Sequence, residues 1–221
     1  MFIGHFALGF AAKRIAPRTS LGTLLAAPEF ADILFPLFVV LGWEKASFAV
    51  GSNPFLSIQL EQISISHSLL TLIGWSILFA LLYWWRTGYA RGAVVVALLV
   101  LSHWLLDFVT HRPDMPLWPG GPKAGLELWA SFPGTLIVEG LLFVAGVAVY
   151  ASATRARDAV GRFALWGLVL LLLLLYVASL SGSPPPPGKA FALVGLAVAL
   201  VLVGFGAWVD RHREAKAGAA A

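Results

Sequence analysis

Residues 91–110 read RGAVVVALLVLSHWLLDFVT. After Arg91 and Gly92 the run is apolar except for Ser102, His103, Asp107 and Thr110. At about 1.5 Å of rise per residue, such a helix covers about 30 Å, the thickness of a bilayer's hydrocarbon core. The stretch therefore predicts a membrane-spanning helix, and one that carries an imidazole and a carboxylate where lipid would be expected.

The rest of the chain agrees with that reading. Of 221 residues, 59% are hydrophobic and 12% are charged, and the mean hydropathy is +0.86. A soluble domain carries about twice that share of charge, so a soluble enzyme, a disordered chain and a nucleic-acid-binding domain are excluded. Apolar runs at 20–43, 66–85, 131–150, 160–180 and 188–209 join 91–110 to predict six transmembrane helices. Residues 2–15 predict a seventh, a half-membrane helix too short to span. No signal-peptide pattern precedes it, because Lys13 and Arg14 follow the apolar stretch. The fold class is all-α, a polytopic membrane helical bundle forming one domain over 1–213. Residues 183–188 predict a stiff Pro-rich turn, and 214–221 a disordered tail. Without cysteine, disulfides and thiolate metal sites are excluded.

Six spans place the loops alternately on two sides. Eleven of the fifteen Lys and Arg residues then fall on one side, and Lys45, Arg112, Lys123 and Lys189 on the other. The positive-inside rule makes the larger set cytoplasmic. The expected location is a bacterial inner membrane, with the C-terminus in the cytoplasm and the connections 44–65 and 111–130 outside.

A charge at the bilayer centre costs about 2.5–3.5 kcal/mol, so intramembrane ionisable groups face the bundle interior and mark function. Here they are His5, Glu29, Asp32, His67, His103, Asp107 and Glu139, all within residues 1–140. Counting rise from the helix ends puts His103 and Glu139 about 12 Å below the outer surface, Asp107 about 6 Å and Asp32 about 16 Å. His67 lies near the outer surface, and the short helix lifts His5 about 12–15 Å from the cytoplasmic side. These depths share the outer half of the membrane and predict one site. His103, Asp107 and His111 are spaced by four and share a helix stripe; Glu29 and Asp32, three apart, share a face. Such donors suit Zn²⁺, Mn²⁺ or Fe²⁺ rather than Cu⁺. Plainer roles stay open. His5 can sit in the interface with no ligand role, His67 can cap a helix, His111 can be a solvated helix end beside Pro113, Glu139 can carry a proton or pair with a His without touching metal, and His103 with Asp107 can form a purely structural hydrogen bond.

Four motifs in order resemble the membrane-bound metal-dependent hydrolases, the YdjM-like bacterial family. They are Gly4-His5-Phe6-Ala7-Leu8-Gly9, Pro28-Glu29-Phe30-Ala31-Asp32, Ser66-His67-Ser68-Leu69-Leu70 and His103-Trp104-Leu105-Leu106-Asp107-Phe108-Val109-Thr110, with Leu117-Trp118-Pro119 following. The likeness covers about residues 1–120. Two features depart from the family pattern: its paired acids stand two apart, and a His-Arg-Gly before the His-Ser motif is absent here.

The resemblance implies a divalent metal ion, Zn²⁺ first with Mn²⁺ and Fe²⁺ as alternatives. His67, His103 and Asp107 are the expected ligands, His5 and Asp32 join them, and Glu29 is the expected general base. The expected activity is metal-dependent hydrolysis of a lipid or lipid-linked ester or amide reached from the outer leaflet. Partners are membrane lipids and a small-molecule or lipid substrate, with no nucleic acid; the oligomeric state is open. A metal-ion or proton transporter and a non-catalytic membrane scaffold are the rival readings.

Overall fold

A computed structural model describes residues 1–48, 53–56, 58–180 and 189–216. Among these residues the chain forms eight helices: α1 (Ile3–Ala12), α2 (Leu21–Ala26), α3 (Phe30–Leu41), α4 (Leu69–Thr87), α5 (Ala90–Thr110), α6 (Phe132–Ala153), α7 (Ala159–Leu180) and α8 (Lys189–Arg211). The last five are long and apolar enough to cross a membrane. Three two-stranded antiparallel ribbons join them: β1 (Lys45–Phe48) with β2 (Ile58–Gln62), β3 (Met115–Pro116) with β4 (Lys123–Ala124), and β5 (Thr154–Ala156) with β6 (Arg213–Ala215). The fold is an all-α membrane bundle. The Pro-rich segment at 183–188 lies outside the described residues, as do residues 217–221.

The structure corrects the sequence reading at the first span. Residues 20–43 form two helices, not one, and the break falls at Ala27-Pro28-Glu29. Pro28 has no N–H to continue α2, and its ring disfavours helical geometry at the residue before it. The two pieces still act as one column, because α8 packs along both. A Cβ at Gly22 of α2 would press into the Val203 carbonyl of α8. A second correction concerns the tail. Glu214 and Ala215 are not disordered: they pair with Arg155 and Thr154, and Arg213 is buried there, bonded to the Thr154 hydroxyl and the Gly161 carbonyl.

The short helix α1 occupies the middle of the bundle, against α2, α5, α6 and α7. Ile3, Phe6, Ala7 and Phe10 are fully enclosed. Close approach needs a small partner, and α6 supplies Gly146, where a side chain would collide with the Ala7 carbonyl. At one end of the bundle Lys13 Nζ donates to Asp210 (2.8 Å) and to the Thr19 carbonyl (2.9 Å), and Tyr150 Oη donates to the same Asp210 (3.1 Å). His5 lies eight residues away, about 12 Å along the helix. Between these polar ends sits the core cluster of Phe6, Phe10, Leu21, Leu25, Phe143 and Val147.

Candidate metal centre

Four pieces of the chain deliver the polar groups. His5 comes from the first turn of α1. Asp32 sits in the first turn of α3, just past the Pro28 break, where the helix's N-terminal dipole favours a carboxylate. His67 lies immediately before α4, whose cap is Ser68, bonded to the Thr71 amide. The role of helix cap that the sequence left open for His67 is thus taken by its neighbour. His103 and Asp107 project from the same stripe of α5.

These five residues form a continuous chain of contacts. His5 Nε2 lies 3.1 Å from Asp107 Oδ1, and His103 Nε2 lies 3.0 Å from Asp107 Oδ2. Asp32 Oδ1 lies 3.9 Å from His103 Nε2 and 3.3 Å from His67 Nε2. The His5 and His103 rings stack at 4.1 Å, and His67 stands edge-on to His103 at 5.1 Å. The donor atoms fall into two overlapping sets, His5/His103/Asp107 and Asp32/His67/His103, each within 4.8 Å. The Met1 ammonium also reaches Asp107 Oδ1, at 2.6 Å. His5 and His103 are fully buried, whereas the Asp32 side chain is 45% exposed and forms the mouth of the cluster.

Hydrogen-bond partners put a proton on Nδ1 of two imidazoles. His103 Nδ1–H donates to the Pro28 carbonyl at 2.7 Å, an acceptor that faces the site at the break between α2 and α3. Glu44, 1% exposed, accepts from the amides of Ile65 and Ser66 and from the Ser66 hydroxyl. With its one proton committed to Glu44, Ser66 Oγ accepts from His67 Nδ1–H at 2.6 Å. In the neutral form both imidazoles therefore turn an Nε2 lone pair toward a carboxylate oxygen. In that form lone pairs facing at 3.0–3.3 Å repel, and a proton on Nε2 or a cation between them removes the repulsion. His103 Nε2, His5 Nδ1, Glu29 Oε1 and Glu139 Oε1 are buried with no hydrogen-bond partner. The donor set thus fits a divalent metal, and the outward bonds of its histidines are those that hold ligands in place at metal sites.

Glu29 lies outside the chain of contacts. It stands at the N-terminal cap position of α3, 4% exposed and in electrostatic reach of Asp32 and Asp107. Glu139 accepts the Gly4 amide at 3.4 Å and so binds the start of α1 to α6. His111, expected to be solvated, is instead 5% exposed; it bonds Asp114 at 3.1 Å and packs on Trp129 at 4.1 Å, apart from the cluster.

The description "YdjM inner membrane protein" matches residues 1–183. The chain belongs to that family. No curated protein and no solved structure matched it. In this YdjM-family chain every residue of the cluster, with Glu29, Glu44 and Glu139, falls inside the matched stretch, while α8 falls beyond it. The match also runs well past the 1–120 that the motifs suggest, taking in α6 and α7.

Glu44 was not legible from the sequence, because it sits in a connection and acts through Ser66. Its removal has a distinct signature. In Glu44→Gln an amide replaces the acceptor, and the Ser66 hydroxyl is free to turn toward His67 Nδ1. That turn moves the ring proton to Nε2 and blocks the ligand atom. Metal affinity should fall about 10–100-fold, read by competition with a chelator, with the helical circular dichroism unchanged. Wild-type affinity in this variant would remove Glu44 from the account.

Proposed function

We propose that this YdjM-family protein is a metal-dependent hydrolase whose centre opens toward the outer leaflet. The metal is a divalent ion, Zn²⁺ first and Mn²⁺ or Fe²⁺ as alternatives, held by His5, Asp32, His67, His103 and Asp107. The observation that carries the reading is the convergence of five His and Asp side chains in two overlapping donor sets, with Asp32 exposed at their edge. A bound divalent ion there lowers the pKa of water toward about 7 and polarises a carbonyl or phosphoryl oxygen. The chain's own residues do the rest. Pro28 and Ser66 hold the two imidazoles in one tautomer. Glu29, buried with a free Oε1, takes a proton from the attacking water and returns it to the leaving group. The apolar walls around His103 exclude other water.

The class of substrate follows from where the mouth lies. Asp32 lies on α3, which also exposes the apolar side chains Leu37 and Leu41, and this suits a lipid or lipid-linked ester or amide. A conducting pathway needs polar groups across the bundle, whereas Phe6, Phe10, Leu21, Leu25, Phe143 and Val147 close the space between the His/Asp cluster and the Lys13–Asp210 pair. That closure favours hydrolysis over transport. The eleven-to-four division of basic residues supports the sidedness of this reading, with the C-terminus in the cytoplasm.

The test combines metal content and activity. Purified wild-type protein should carry a divalent metal by elemental analysis, His103→Ala should lose it, and a panel of lipid esters and amides should yield a cleaved member. Saturable ion flux in proteoliposomes, abolished by His103→Ala with no cleavage of any substrate, would replace the hydrolase by a transporter. Gly120→Cys should react with an impermeant thiol reagent in intact spheroplasts; reaction only after lysis reverses the orientation.

A further inference from the structure

We infer that the centre holds two divalent cations rather than one, with the Asp107 carboxylate bridging them. The inference rests on the metal site proposed above and specifies its nuclearity. Its first support is the division of Asp107's two oxygens. Oδ2 faces His103, which continues through Asp32 to His67, whereas Oδ1 faces His5. A single ion cannot use all the donors in that arrangement without drawing both ends of the chain together.

The second support is the His103 ring. It belongs to both overlapping donor sets, yet its Nδ1 is committed to the Pro28 carbonyl. One Nε2 lone pair serves one ion. His103 therefore joins Asp32 and His67 around a first cation, with Asp107 Oδ2 as the fourth donor. His5 Nε2 and Asp107 Oδ1 are left as the start of a second position. Glu139 stands beside it: its Oε2 accepts the amide of Gly4, the neighbour of His5, and its Oε1 is buried and unpartnered. Positive charge is already favoured there, since the Met1 ammonium lies on the same Asp107 oxygen.

Charge gives the third support. Asp107, Glu29 and Glu139 are buried, and Asp32 adds a fourth carboxylate at the mouth. Buried charges must be paired. The Met1 ammonium and one divalent ion offset three of the four, which leaves one carboxylate for a second ion. Two cations bridged in this way sit about 3.5–4 Å apart in hydrolytic centres, where they share the charge of one substrate oxygen.

Stoichiometry decides the matter without any assay of turnover. Protein purified without chelator and dialysed against Zn²⁺ should contain two equivalents per chain. His5→Gln should contain one, retained at the His67/His103 position, and Asp107→Ala should bind neither tightly. A second measurement avoids any variant that fails to fold: wild-type protein loaded with Mn²⁺ should give the exchange-coupled paramagnetic resonance spectrum of a close pair. A single equivalent with an uncoupled spectrum, unchanged in His5→Gln, would overturn the pair while leaving the metal site in place. No metal in any form of the protein would overturn both.

Discussion

Glu29→Gln should keep its metal and lose its turnover. The substitution preserves size and hydrogen-bonding capacity but removes the proton acceptor, and general-base catalysis contributes about 10²–10⁴-fold to a hydrolytic rate. The drop should therefore be of that order in kcat, with metal content by elemental analysis equal to wild type. His103→Ala supplies the contrast, since it removes a ligand and should lose both. The two acids of the Pro28 motif leave one further outcome. If Asp32 is the base and Glu29 a ligand, Asp32→Asn will retain metal and Glu29→Gln will not. Retention of full activity by both variants would falsify a carboxylate base at this motif.

Asp210→Ala should destabilise the protein by about 3 kcal/mol, more than any other change at that end of the bundle. It strands the Lys13 ammonium, 5% exposed, beside the Thr19 carbonyl and the Tyr150 hydroxyl. Removing one partner of a buried pair costs about 3–5 kcal/mol, whereas replacing both by apolar groups is often near neutral. Lys13→Met combined with Asp210→Leu should accordingly recover most of the loss in a thermal or denaturant melt in detergent. A double variant as unstable as the single one would show that packing, rather than charge, sets the cost. The site lies at the far end of α1, so Asp210→Ala should lower the midpoint of unfolding with little change in metal affinity at low temperature.

The legible part of this fold was the part governed by length and polarity. Five predicted spans appear as single helices within a few residues of their expected bounds, because an apolar run of about 20 residues has few alternatives in lipid. The first span differed. Pro28 was visible in the sequence, but a proline within an apolar run can kink a helix or end it, and only the surrounding bundle decides. The polar residues were legible as outliers among apolar neighbours, and the shared outer-half placement of His5, Asp32, His67, His103 and Asp107 corresponds to positions that lie together in space. Glu44 and the Pro28 carbonyl were not legible. One is an acid in a polar connection, indistinguishable there from a solvated one, and the other is a backbone atom. His111 was misread because the stripe argument runs along α5 and ignores the 111–130 connection, which folds Trp129 back over it.

The position of α1 dictates the order in which this protein is made. Ten residues cannot be released into lipid as a span, since both ends would bring unpaired backbone groups and Lys13 into hydrocarbon. The helix is synthesised before α6, α7 and α8, yet its seat is formed by α6 and α7, and Lys13 at its end is neutralised by a residue near the end of α8. A segment made before its partners is thus among the last to reach its place. His5 enters the centre only after nearly the whole chain has been inserted, so a nascent or truncated chain lacking α8 lacks the anchor that fixes α1 in register. Under the proposed function, metal acquisition would then be the closing step of biogenesis and would report that assembly is finished.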